Sequence, residues 1–210
     1  MKNFLIKHPA MVLNITTLLL IAYIYLTKAH FQFLIVNLAL ALIPFNLSLL
    51  TKNIPSKPYL HIPLFLIWLV FYPNTIYMLT DFSHLSSIGT GLANSFQYFN
   101  YSILTVSIIL ALLLGLLSME SILNMLTRSA GLKILGYIIL SILAAFAIYF
   151  GRFLRLNSSD LFFKPTETIN TILAANSNEL LNFVSYFSLM QLFLIFIYQF
   201  ALIYCKREYI

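Results

Sequence analysis

Long apolar runs broken by short polar interruptions dominate this chain. Six runs are long enough to cross a bilayer as helices: about 10–27, 31–50, 61–79, 98–117, 133–150 and 180–204. Each is near the ~20 residues a helix needs to span a hydrocarbon core of roughly 30 Å. They are too long for barrel strands and do not alternate apolar with polar positions. The expected fold class is all-α, a polytopic helical bundle forming a single membrane domain over residues 1–210. The first run follows Lys2 and Lys7 and resembles a signal peptide. Its length, and the lack of a small-x-small cleavage site after it, read as an uncleaved first span. Before the sixth run, Pro165 opens a stretch in which Ile169, Ile172 and Leu173 suit a short helix lying in the membrane interface.

Composition strengthens this reading. Of 210 residues, 61% are hydrophobic and 9% are charged, whereas a soluble domain carries about 25% charged residues. Membrane lipids are therefore the expected surroundings. The net charge of +6 comes from basic residues placed between apolar runs, which is a topology pattern and not a nucleic-acid surface. Lys2, Lys7, Lys52, Lys57, Arg128, Lys133, Lys206 and Arg207 fall on one side, against Lys28, Arg152, Arg155 and Lys164 on the other. The positive-inside rule then puts both termini in the cytoplasm, and a bacterial cytoplasmic membrane is the expected location. The three basic residues of the fifth loop run against the rule, which a site that uses arginines would explain. The lone Cys205 cannot form an intrachain disulfide, and no metal-ligand spacing such as His-Glu-x-x-His is present. No cofactor or metal is expected.

Two stretches concentrate polar chemistry. In the first, residues 68–84, Pro73 predicts a kink. Asn74, Tyr77, Asp81 and His84 follow at offsets that share one face if an α-helix continues. In the second, residues 151–160, Arg152 and Arg155 would lie together if the fifth helix runs one more turn, a pairing suited to phosphate or carboxylate. Asn157 and Asp160 follow in a polar turn. Loops three and five share a side of the membrane, so the two stretches are expected to converge, with Asn94, Gln97 and Asn100 at the start of span four. His8, His30 and His61 read as interfacial histidines, His30 on the same side but outside both stretches.

The sequence from Phe71 to Leu85, with Pro73-Asn74, Tyr77, Thr80-Asp81 and His84-Leu85, resembles a signature of a bacterial membrane family, domain of unknown function 1361. Gly151-Arg-Phe-Leu-Arg-Leu-Asn-Ser-Ser-Asp-Leu161, followed by Pro165, is similar to that family's second signature. The resemblance covers about residues 31–204. The chain departs from it at Thr75-Ile76, where the family has Ala-Pro, and at Leu156 and Ser159, where it has tryptophans. The resemblance carries no activity.

The ligand-contacting candidates are therefore Asn74, Tyr77, Asp81, His84, Arg152, Arg155, Asn157 and Asp160. One reading is binding of an anionic lipid or lipid-linked envelope precursor, with the arginines on phosphate. A second is a membrane-embedded hydrolase or transferase, with His84 as general base or nucleophile oriented by Asp81. A third is a structural subunit whose charges only tie helices together. A small transporter is a further reading, ranked below headgroup binding because acidic residues are absent from the middle of the spans, where ion coupling usually needs them. Whether the protein is an enzyme, and whether it forms a homo-oligomer, the sequence leaves open.

Overall fold

A computed structural model describes residues 8–54, 58–89, 91–155, 163–174 and 177–209. Asn157 and Asp160 of the second motif lie outside the described residues. The helices are α1 (Pro9–Thr27), α2 (Leu34–Asn53), α3 (Pro58–Phe71), α4 (Pro73–Tyr77), a 3-10 segment (Met78–Ile88), α5 (Ser95–Leu126), α6 (Ala130–Phe153), α7 (Pro165–Ala174) and α8 (Ser177–Tyr209). No strand occurs among the described residues. Six segments are long and apolar enough to cross a membrane: Pro9–Thr27, Leu34–Lys52, Tyr59–Ile88, Ser95–Leu126, Ala130–Phe153 and Asn178–Arg207. The chain is an all-α, multi-pass membrane protein. It forms two compact units, Met1–Met119 and Glu120–Ile210, with the boundary inside α5.

The first unit is built around a core of Ile24, Phe31, Leu34, Leu38, Ala41, Phe45, Met78, Ile103, Leu104, Ile108, Ala111 and Leu114. Within apolar helices, polar pairs fix the register. Asn14 and Asn46 exchange amide hydrogen bonds at 3.1 and 2.8 Å, joining α1 to α2. Such interhelical bonds are worth about 0.6–2 kcal/mol in a membrane. Lys28 ends α1 in a left-handed conformation (φ 50°), with its N–H directed to the carbonyls of Ile24 and Tyr25.

The α-helical bonding breaks at Pro73, where a kink is expected: α3 stops at Phe71 and α4 begins at Pro73, with Tyr72 between them still in the right-handed helical region. Proline supplies no N–H, and backbone polar groups inside a bilayer must be satisfied locally. Two side chains bond the carbonyls beside the break. Asn74 Nδ2 donates to the Phe71 carbonyl at 3.1 Å, and Thr75 Oγ1 donates to the Tyr72 carbonyl at 2.8 Å. Thr75 is fully buried against Gly115 of α5. A Cβ at position 115 would lie 2.8 Å from Thr75 Cβ and closer still to its Oγ1.

In the second unit α6 packs along α8. The buried stripe Leu140, Ser141, Ala144, Ala145, Ile148 and Tyr149 repeats at helical spacing, and its small members allow close approach. The Ser141 carbonyl accepts from Ser188 Oγ at 3.4 Å and Gln191 Nε2 at 3.3 Å. Pro165 opens α7, as the spacing after it predicts. α5 has 32 residues and runs past the expected end of span four, carrying Glu120, whose partners are described below.

Because the neighbour of Gly115 is a fully buried side chain, Gly115→Ala is expected to cost about 1–3 kcal/mol of stability through overpacking. Adding Thr75→Ala recovers part of that loss by removing the hydroxyl and methyl. Unfolding of the detergent-solubilised variants checks both values; an unchanged Gly115→Ala midpoint would contradict the packing described.

Candidate functional site

The first motif departs from the expected geometry in one respect. The α-helix does not continue beyond Tyr77; the chain tightens into eleven residues of 3-10 helix, Met78–Ile88. Runs of this kind longer than three or four residues are uncommon and often mark strain or function. Thr80, Ser86 and Ser87 each donate a hydroxyl hydrogen bond to the carbonyl three residues back, at 2.7, 3.2 and 2.7 Å. That reach matches the 3-10 repeat, but Ser48 and Ser118 bond the same way inside α-helices, so these bonds accompany the tighter pitch and do not set it.

The change of pitch changes which side chains share a face. At three residues per turn, Met78, Asp81, His84 and Ser87 stack in one column, while Asn74 and Tyr77 belong to the preceding α-helix. The four-residue polar face expected from α-helical spacing is therefore split into two pairs. Along the column, exposure rises from Met78 and Asp81, both buried, through a half-buried His84 to an exposed Ser87. Asp81 is 1% exposed. Its Oδ2 accepts from Asn37 Nδ2 at 2.8 Å. Asn37 lies near the start of α2, where the positive end of the helix dipole favours an anion. The His84 ring packs at 4.7 Å from that of Phe33, just before α2.

The same end of the first unit holds His30, which the sequence placed outside the motifs. Its Nε2 lies 3.1 Å from Ser87 Oγ. Its backbone N–H donates to Asn100 Oδ1 at 2.8 Å. Asn100 and Gln97 are buried, and Gln97 Nε2 donates to the Ile88 carbonyl at 3.1 Å while its Oε1 accepts from the Ala93 N–H at 2.7 Å. Gly89 takes φ 94°, in the region that favours glycine, and a Cβ there would lie 2.8 Å from Gln97 Nε2. Span four thus clamps both the turn after α1 and the loop after the 3-10 segment.

In the second unit the fifth span ends sooner than the arginine pairing requires. α6 stops at Phe153, the Leu154 N–H closes on the Phe150 carbonyl at 3.1 Å, and Arg155 turns left-handed at φ 56°. Arg152 is half-buried in the last helical turn, and Arg155 is exposed beyond it, so the two do not share a helical face. A second polar site lies in this unit. Glu120 Oε2 accepts from Tyr137 at 2.7 Å and Gln199 at 2.6 Å, and Oε1 accepts from Asn124 at 2.8 Å. Lys133 donates to Asn124 Oδ1. One carboxylate therefore ties the end of α5 to α6 and α8.

Sequence reasoning missed Asn37 and Glu120, and it did not bring His30 and Ser87 together. Asn37 carried a signal, being the one polar side chain between Leu34 and Phe45. His30 and Ser87 are far apart in the chain and meet only through the fold. Among the described residues, no three His, Cys, Asp or Glu side chains group closely enough to hold a metal ion.

Since Tyr137, Gln199 and Asn124 all donate to one carboxylate, Glu120→Ala is expected to cost about 1–3 kcal/mol, chiefly by leaving the half-buried Tyr137 hydroxyl without its acceptor. Tyr137→Phe is expected to cost less, about 1 kcal/mol. Thermal or denaturant unfolding in detergent measures both; wild-type midpoints for the two variants would contradict this tie.

No curated protein and no solved structure matches the chain. A family model described as "Protein of unknown function (DUF1361)" matches residues 36–194, which include both motifs and most of the membrane-length helices, and the chain belongs to that family.

Proposed function

We propose that this multi-pass membrane protein binds an anionic lipid or lipid-linked envelope precursor by its phosphate-bearing headgroup, with Arg155 and Arg152 as the anion contacts. In this reading the protein lies in a bacterial cytoplasmic membrane with both termini inside and the end of α6 facing outward. The observation that carries the reading is the backbone of Arg155. It is exposed, directly beyond a membrane-length helix, and holds a left-handed conformation at φ 56°. That conformation costs a non-glycine residue roughly 1 kcal/mol or more, and such outliers gather at functional positions. Glycine would fill the turn more cheaply. Arginine in its place puts a guanidinium at the end of the span, where fork-shaped donors suit phosphate. Arg152, one turn earlier and half-buried, adds a second guanidinium near the same helix end.

Native mass spectrometry of protein extracted gently from its own membrane tests the reading. Wild type is expected to retain a selected anionic lipid or precursor. Arg152→Ala/Arg155→Ala is expected to retain it at least tenfold less, the loss expected from removing one charge-assisted hydrogen bond of about 1.5 kcal/mol. Equal, unselective lipid on both proteins would overturn it.

A further inference from the structure

The exposed pair His30 and Ser87 has chemistry that the anion-binding reading does not use. His30 lies between α1 and α2, and Ser87 is the next-to-last residue of the 3-10 segment. The fold brings the imidazole Nε2 to 3.1 Å from the hydroxyl oxygen, within the reach a general base needs. Both residues are exposed, so a substrate has access. The serine hydroxyl has two acceptors, the imidazole and the His84 carbonyl at 2.7 Å, and rotation about Cβ–Oγ passes its proton between them. The imidazole is held in place: Phe31 and Phe96 meet it edge-on at 5.1 and 5.8 Å, and buried Asn100 fixes its backbone. An activated serine whose base is itself oriented by a further group is the arrangement nucleophilic catalysis uses.

We propose that Ser87 and His30 form a nucleophile–base pair that cleaves carboxylic esters of membrane lipids. The substrate class follows from position. The pair sits at the ends of membrane-length segments, Pro9–Thr27 and Tyr59–Ile88. The large apolar side chains of Leu92 and Phe96 are exposed close by in sequence to Gly89 and Asn100. An ester carbonyl lies at the boundary between acyl chain and headgroup, the depth at which these segments end. In the first step Ser87 Oγ bonds to the ester carbonyl carbon while its proton passes to His30 Nε2. The carbon–oxygen bond to the lipid alcohol then breaks, and that alkoxide takes the proton from His30. In the second step water, deprotonated by His30, attacks the acyl-serine, releasing the fatty acid and returning the proton to Ser87. Asn100 is a positioning residue acting through the His30 backbone. Arg152 and Arg155 take no part, so this inference stands or falls apart from the anion-binding reading.

The test uses the full chain in lipid nanodiscs and an alkyl fluorophosphonate, whose phosphorus is captured by an activated serine with loss of fluoride. Wild type is expected to be modified at Ser87, as located by peptide mass spectrometry. Ser86→Ala leaves the labelling intact. His30→Gln keeps a hydrogen-bonding side chain but accepts no proton, and is expected to slow labelling on the order of 100-fold, within the range a general base contributes. A thermal midpoint matching wild type shows that His30→Gln is folded. Folded wild type that stays unlabelled at Ser87, or labelling at an equal rate in His30→Gln, overturns the proposal and leaves the pair as a tie between the α1–α2 turn and the 3-10 segment.

Discussion

A carboxylate enclosed in an apolar bundle constrains everything around it. Asp81 lies within a membrane-length segment and is almost completely buried. A charge in such a place must be hydrogen-bonded, because its desolvation costs several kcal/mol. Asn37 answers that need from the start of α2, and the partnership fixes how the third span is turned against the second. The break at Pro73 and the tightening at Met78 place Asp81 on the side where α2 can reach it. The remaining polar residues of the column, His84 and Ser87, then follow at three-residue spacing toward the surface.

Polar ties recur wherever the apolar helices need a defined register, and each uses the least charge that suffices. Neutral amides join α1 to α2 through Asn14 and Asn46. A buried hydroxyl and the Gln191 amide meet the Ser141 carbonyl between α6 and α8. Glu120 sits near the end of its helix and carries three neutral donors. Lipid offers no hydrophobic drive between helices, so small residues and hydrogen bonds specify the packing instead. Gly115 against Thr75, and Ala144 and Ala145 in the α6 stripe, are the small-residue half of that rule.

Much of the architecture was legible in the sequence, for a physical reason. Apolar length is a one-dimensional signal, and the six membrane-length helices follow from it directly. The Pro73 break was equally local, since the missing N–H acts on its own helix. The site was harder. The polar residues of the first motif were visible, but their common face assumed a 3.6-residue repeat, whereas the chain follows a three-residue repeat from Met78 onward. Arg152 and Arg155 were paired on the premise of a longer helix, whereas the chain turns left-handed at Arg155. His30 and Ser87 are 57 residues apart, and only the tertiary fold brings them together. Glu120 gave no sequence signal because Tyr137 and Gln199 come from helices that begin later in the chain.

The dependence of the third span on the Asp81–Asn37 bond is tested most directly by a double-mutant cycle. Asn37→Ala, Asp81→Ala and the double variant are compared with wild type by reversible unfolding in lipid or detergent. The account predicts a coupling energy of about 1–3 kcal/mol, as expected for a buried hydrogen bond to a charged group. Additive losses, with a coupling near zero, would show that Asp81 is held by other partners and would contradict the central role given to this contact.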